Sequence, residues 1–90
     1  MLDRTRIDVL PIQETVATAS PSAWRDGIVV SRDQDRLTVA LLDGRVAHLS
    51  TRAVPVPGEP VAVHPVAEVV AIGGTWYSAR AVADADDARS

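Results

Sequence analysis

Leu37-Thr38-Val39-Ala40-Leu41-Leu42-Asp43-Gly44-Arg45-Val46-Ala47-His48-Leu49 is the stretch that decides the fold. Leu37, Val39 and Leu41 alternate with Thr38 and Ala40. That is the period of a half-buried strand, because successive side chains leave a strand on opposite faces. Asp43-Gly44 follows, and Asp-Gly between two strand patterns marks a hairpin, since a type I′ turn needs positive φ at both central residues. A two-residue loop pairs Leu42 with Arg45, Leu41 with Val46 and Val39 with His48. In that register Leu37, Val39, Leu41, Val46 and His48 share one face, and Ala40, Ala47 and Leu49 fall on the other. Neither face is purely polar. Either both are covered, as in a closed barrel or an interface, or a bulge near Ala47 shifts the register.

Upstream, Trp24, Ile28 and Val30 share one parity and Val29 the other, which predicts a strand over roughly 24–32. Gly27 inside it suggests a bulge or a bend at a barrel corner. The polar run Arg32 to Arg36 reads as a turn. Downstream, 52–60 is a loop, because Pro55, Pro57 and Pro60 remove amide donors. Val61 and Val63 open a strand that Pro65 interrupts, and Ala67 to Ile72 is another. Gly73-Gly74 makes a second tight turn before a last strand, Thr75 to Val82, with Trp76 and Tyr77 on opposite faces. Short strands with turn signals between them predict an all-β fold, a small five- to six-stranded OB-like or SH3-like barrel.

The barrel accounts for residues 24–82. Residues 1–23 read as an extended N-terminal arm, with Ile7, Val9, Leu10 and Ile12 apolar but without sustained period and Pro11 interrupting. The arm is either a loosely docked terminus or a strand laid on a neighbouring subunit. A short helix over Glu14 to Ala19 is the alternative for this part of the arm, without support from periodicity. Residues 83–90, Ala-Asp-Ala-Asp-Asp-Ala-Arg-Ser, read as a solvated acidic tail.

Composition bounds the chemistry. Ninety residues make one domain at most, and the absence of cysteine leaves no disulfide or thiolate metal site to reinforce it. All nine basic residues are Arg, and the lack of Lys, Asn and Phe points to a GC-rich genome. The net charge of −3, with Arg and Asp interleaved, is unlike the basic stripe of a nucleic-acid binder, so nucleic acid is disfavoured as a partner. No apolar run suits a secretion signal or a membrane span.

His48 and His64 lie on different strands and are too few for a zinc site, which needs three or four ligands. Ser31, Ser50 and Ser78 lack a nucleophile-elbow context, and Asp33 and Asp35 sit in a turn beside Arg32 and Arg36. Gly73-Gly74 is no phosphate loop, since no helix start follows. The reading is therefore non-enzymatic, with no catalytic residue, no metal and no cofactor.

The order Gly27-Ile28-Val29-Val30, Leu41-Leu42-Asp43-Gly44-Arg45-Val46, Pro57-Gly58-Glu59-Pro60-Val61-Ala62-Val63 and Gly73-Gly74-Thr75-Trp76-Tyr77 resembles small OB-fold structural proteins of long-tailed phage tails and baseplates. The likeness covers roughly residues 25–82. Pro57 to Val63 resembles the family's P-x-V-G-D-x-V-x-V segment, with Glu59 in place of Asp, and residues 1–23 match nothing in it. The resemblance implies a structural virion component, in the tail, the tail tip or the head–tail connection, or as a close variant a capsid decoration protein. Its partners would be other virion proteins or copies of itself, and its location the virion. A nucleic-acid-binding barrel and a small cytoplasmic adaptor are the alternatives. The partner interface is expected at Ile7, Val9, Leu10, Ile12, Trp76 and Tyr77.

Overall fold

The computed structural model describes residues 5–7 and 9–82, and the expected acidic tail, 83–90, lies outside them. The described residues form a closed six-stranded antiparallel barrel with one short helix packed on its outside. The elements are β1 (Thr5–Ile7), α1 (Pro11–Ala19), a 3₁₀ turn (Pro21–Ala23), β2 (Arg25–Asp33), β3 (Arg36–Leu41), β4 (Val46–Thr51), β5 (Pro60–His64), β6 (Val69–Ile72) and β7 (Thr75–Ala81). Two three-strand meanders, β2–β3–β4 and β5–β6–β7, join edge to edge through the pairs β4–β7 and β2–β5. Six strands are one more than the five of an OB barrel.

The decisive hairpin forms, but with a different register. Ala40 pairs with Val46, Val39 with Ala47 and Thr38 with His48. The loop has three residues, Leu42-Asp43-Gly44: the Gly44 amide donates to the Leu41 carbonyl (3.0 Å), Gly44 takes φ 95°, and the Leu41 amide donates to the Arg45 carbonyl (2.8 Å). This is a type I turn closed by a left-handed glycine rather than a two-residue I′ turn. Asp43 Oδ1 accepts the Arg45 amide at 2.9 Å and holds the loop. A shift of one residue moves a whole strand to the other face. Ala47 and Leu49 therefore join Leu37 and Val39 inside the barrel, while Val46 and His48 point outward. The mixed faces of the expected register resolve into one apolar and one mixed face.

Inside, Val29, Leu37, Val39, Leu49, Val61, Val63 and Val70 form the main core, with Leu41, Ile72 and Tyr77 packed against it. Trp24 and Ile28 do share a parity, but it is the outer one, and Val29 is the core residue. Gly27 lies where β2 is paired on both sides. A Cβ there would stand 2.8 Å from the Ala40 carbonyl oxygen and 2.6 Å from Val39 Cγ1, so only glycine fits this close approach. The ladder is irregular between Val29 and Ser31, which leaves Val30 exposed. There the Val29 amide and carbonyl bond to Glu59 and Gly58 of the Pro-rich loop (3.0 and 2.8 Å). Val56-Pro57-Gly58-Glu59 is a type II turn in composition and bonding. Pro57 presets φ, Gly58 takes φ 93° and the Glu59 amide returns to the Val56 carbonyl.

A second, smaller core lies outside the barrel. Ala17 of α1 packs with Ala67, Val69 and Trp76, flanked by Val9, Val16, Trp24 and Ala71. The arm is thus ordered on its own barrel from Val9 onward, and β1 pairs in parallel with this chain's β7 (Thr5 with Thr75, Ile7 with Tyr77) rather than with a neighbour's strand. The helix starts at Pro11, where a missing amide costs nothing. Gln13 supplies half of a capping box, its Oε1 accepting the Leu10 amide at 2.8 Å. The same side chain's Nε2 reaches the carbonyls of Ala67 (3.1 Å) and Glu68 (2.9 Å) and Ser78 Oγ (3.2 Å), which fastens the helix to the β5–β6 turn and β7.

Candidate interaction surface

Paired residues share a face, so the registers define what lies outside the barrel. On the side of the second meander, the outward row Ala62–Ala71–Trp76 and the row His64–Val69–Ser78 lie under α1 and Trp24. His64 is fully buried there. The Ala67 amide donates to its Nδ1 at 3.0 Å, so the proton sits on Nε2, which donates to the Ser20 carbonyl at 2.9 Å. Trp24 meets the His64 ring edge-on at 5.0 Å and the Trp76 ring at 5.2 Å. With both ring nitrogens engaged, His64 ties the 3₁₀ turn and the β5–β6 turn to the barrel wall and has no lone pair left for a metal. Among the described residues no cluster of three His, Asp or Glu could hold one.

On the side of the first meander, no helix among the described residues lies above the outward row Pro60–Ile28–Ala40–Val46. Ile28 is 38% exposed, Val30 51% and Val46 56%. Leu42 is exposed at the hairpin tip, and Thr38 Oγ1 meets His48 Nδ1 at 3.3 Å in the neighbouring row. An aliphatic side chain is worth about 1.5–3 kcal/mol when fully buried, so covering the exposed part of each would add roughly 1 kcal/mol. Exposed aliphatics scattered singly are ordinary, whereas a row across three neighbouring strands is not.

The residues expected to form one interface are divided by the structure. Trp76 is buried beneath α1, which corrects its expected place on an exposed face: the chain's own arm covers it. Tyr77 is partly buried against the main core and Val9 against the second. Leu10 (60% exposed) and Ile12 (62%) stand free at the start of α1. Ile7 lies in β1, opposite Tyr77 in the register. The expectation missed Ile28, Val30 and Val46. The signal for Ile28 and Val30 is their alternation with Val29, whereas Val46 points outward only once the hairpin loop has three residues.

Two clefts flank these surfaces. One, of about 440 Å³, opens at the barrel seam between Leu41, Val46, Ala47 and Leu49 on one wall and Arg25, Val63, Pro65, Ala81 and Val82 on the other. A second, about 430 Å³, lies between Leu10, Ile12 and Gln13 of the arm and Ser50, Ser78, Glu68 and Arg80 of the barrel. Among the described residues no helix is long and apolar enough to cross a membrane. No protein-family model matches this chain, and no curated protein or solved structure matches it either.

Proposed function

We propose that this chain is a non-enzymatic assembly subunit that works through protein–protein contacts, and specifically a virion component of a long-tailed phage, in the tail, the tail tip or the head–tail connection. The observation that carries the assembly reading is the outward row Ile28–Ala40–Val46, beside Val30, which no described residue covers, on a barrel whose opposite outer face its own arm covers. A marginal 90-residue domain gains stability from a partner that binds only its folded state. The virion assignment rests on the resemblance of residues 25–82 to phage tail and baseplate proteins.

The test is the double variant Ile28→Arg, Val46→Arg. Both positions are exposed on the outer face, so the variant should fold and melt close to the parent. Two buried-on-assembly arginines should abolish its incorporation into particles in a complementation assay. Incorporation at the parental level would overturn the reading of this face as the assembly surface.

A further inference from the structure

Three neighbouring strands carry a second outward row, charged rather than apolar. Arg36 of β3 pairs with Ser50 of β4, and Ser50 pairs with Arg80 of β7. Their chain neighbours Leu37, Leu49 and Ala79 lie in the core, so Arg36, Ser50 and Arg80 point outward. Adjacent strands are about 4.8 Å apart, which sets the two arginines on either side of Ser50 with backbones roughly 10 Å from each other. Long flexible side chains at that spacing can both reach one group held above Ser50. Ser78 adds a second hydroxyl on the same face of β7, and its oxygen accepts Gln13 Nε2 at 3.2 Å, which leaves its proton to donate. Among the described residues neither guanidinium, nor the Ser50 hydroxyl, has a hydrogen-bond or ion-pair partner, although Arg36 is half-buried. The nearest acids stand beyond the arginines. Asp33 is opposite Arg36 on the side away from Ser50, and Glu68 lies across the other edge of β7, where its carbonyl accepts the Ala79 amide. Ser50, Ser78 and Arg80 form one side of the 430 Å³ cleft whose other side is the exposed Leu10 and Ile12.

We infer that this cleft binds a phosphate monoester carrying a short aliphatic group. Two guanidinium forks and two hydroxyls converge on one position, more donors than the two oxygens of a carboxylate need and a match for the three free oxygens of a monoester dianion. An anion above Ser50 has an arginine one strand away on each side and the acids further out, so the closer, attractive terms win. The organic part of the ester then lies against Leu10 and Ile12, which the fold leaves exposed beside the charged row. An apolar wall with a few convergent polar groups is the usual build of a small-molecule site. The cleft shares no residue with the row Ile28–Ala40–Val46, so this inference goes beyond the assembly reading and stands or falls without it.

Amide chemical shifts of the full 90-residue chain test this, in titrations with butyl phosphate, inorganic phosphate and butyrate at constant ionic strength. Both phosphates should shift the Ser50, Ser78 and Arg80 amides saturably, and butyl phosphate should bind about threefold to tenfold more tightly through Leu10 and Ile12. Butyrate should bind at least about tenfold more weakly than butyl phosphate. Arg36→Gln and Arg80→Gln should each weaken inorganic phosphate about tenfold, and Leu10→Ser should cancel the advantage of the ester alone. Arg45→Gln removes the same charge from the exposed hairpin loop and should leave both affinities unchanged. The Val29 and Val70 amides report that each variant is folded. Shifts that butyrate reproduces, or that Arg45→Gln reduces as much as Arg80→Gln does, are general attraction of an anion and overturn the proposal. Equal affinity for the two phosphates overturns it, because the aliphatic wall would then contribute nothing. So does the absence of any saturable shift up to about 20 mM.

Discussion

The two outer faces of this barrel are built from the same kind of strand and finished differently. The face of the second meander carries Trp76, His64, Val69 and Ala71, and the arm seals it with Ala17, Val16, Trp24 and the Gln13 contacts. The face of the first meander carries Ile28, Ala40 and Val46 and receives no cover from the described chain. The difference teaches where this molecule gains its own stability and where it leaves apolar area exposed. A large aromatic and a buried imidazole are tolerable outside a barrel only if the same chain covers them. Medium aliphatics at half exposure are tolerable uncovered.

Breaking the sealed face should have the largest effect. Trp76→Ala removes the centre of the second core and should destabilise the chain by about 3–5 kcal/mol. A domain of this size has about 5–13 kcal/mol in total, so urea unfolding should show a much lower midpoint or no folded baseline at all. His64→Ala should follow, at about 2–3 kcal/mol. It strands the buried Ala67 amide and frees the Ser20 carbonyl, and it removes the edge contact with Trp24. A loss under about 0.5 kcal/mol in the same titration would mean that the 3₁₀ turn does not depend on His64.

The contrast between the faces was only partly legible in the sequence. The strands, the Gly73-Gly74 hairpin and the Pro-rich loop could be read, because alternation and turn residues are local. The hairpin register could not. Asp43-Gly44 fits a two-residue I′ turn and equally the last two positions of a three-residue loop, and the choice depends on whether Ala47 or Val46 packs inside. The helix was hidden for a different reason. Its docking face is Gln13, Val16 and Ala17, so a polar residue and a small one stand where periodicity looks for bulk. Without α1 above it, Trp76 reads as a surface residue, whereas the helix buries it. His64 could be placed before Pro65, but its two partners, three and 44 residues away, are set by the tertiary fold.

Gln13→Ala sharpens the comparison by detaching the cover without altering the face beneath it. The helix loses its cap at Leu10 and its bonds to Ala67, Glu68 and Ser78, which are partly exposed to solvent. The expected cost is about 1–2 kcal/mol. Hydrogen exchange should locate it: α1 amides from Ser20 back to Glu14 should open more readily, while β2–β4 amides keep their parental rates. Uniform acceleration across the barrel would show that the arm and barrel unfold as one unit.

The smallest effect belongs to the open face. Ile28→Ser together with Val46→Ser removes exposed methyl groups from two strands without touching Val29, Val39 or Ala47 within. In the isolated chain the pair should change stability by no more than about 1 kcal/mol, since surface substitutions typically stay within about 0.5 each. Against a parent of equal stability, the variant should lose any concentration-dependent rise in sedimentation coefficient or melting temperature, because such a rise measures apolar area covered by a partner. A stability loss near that of Trp76→Ala would break the comparison. It would place Ile28 and Val46 in the chain's own core rather than on its exposed outer face.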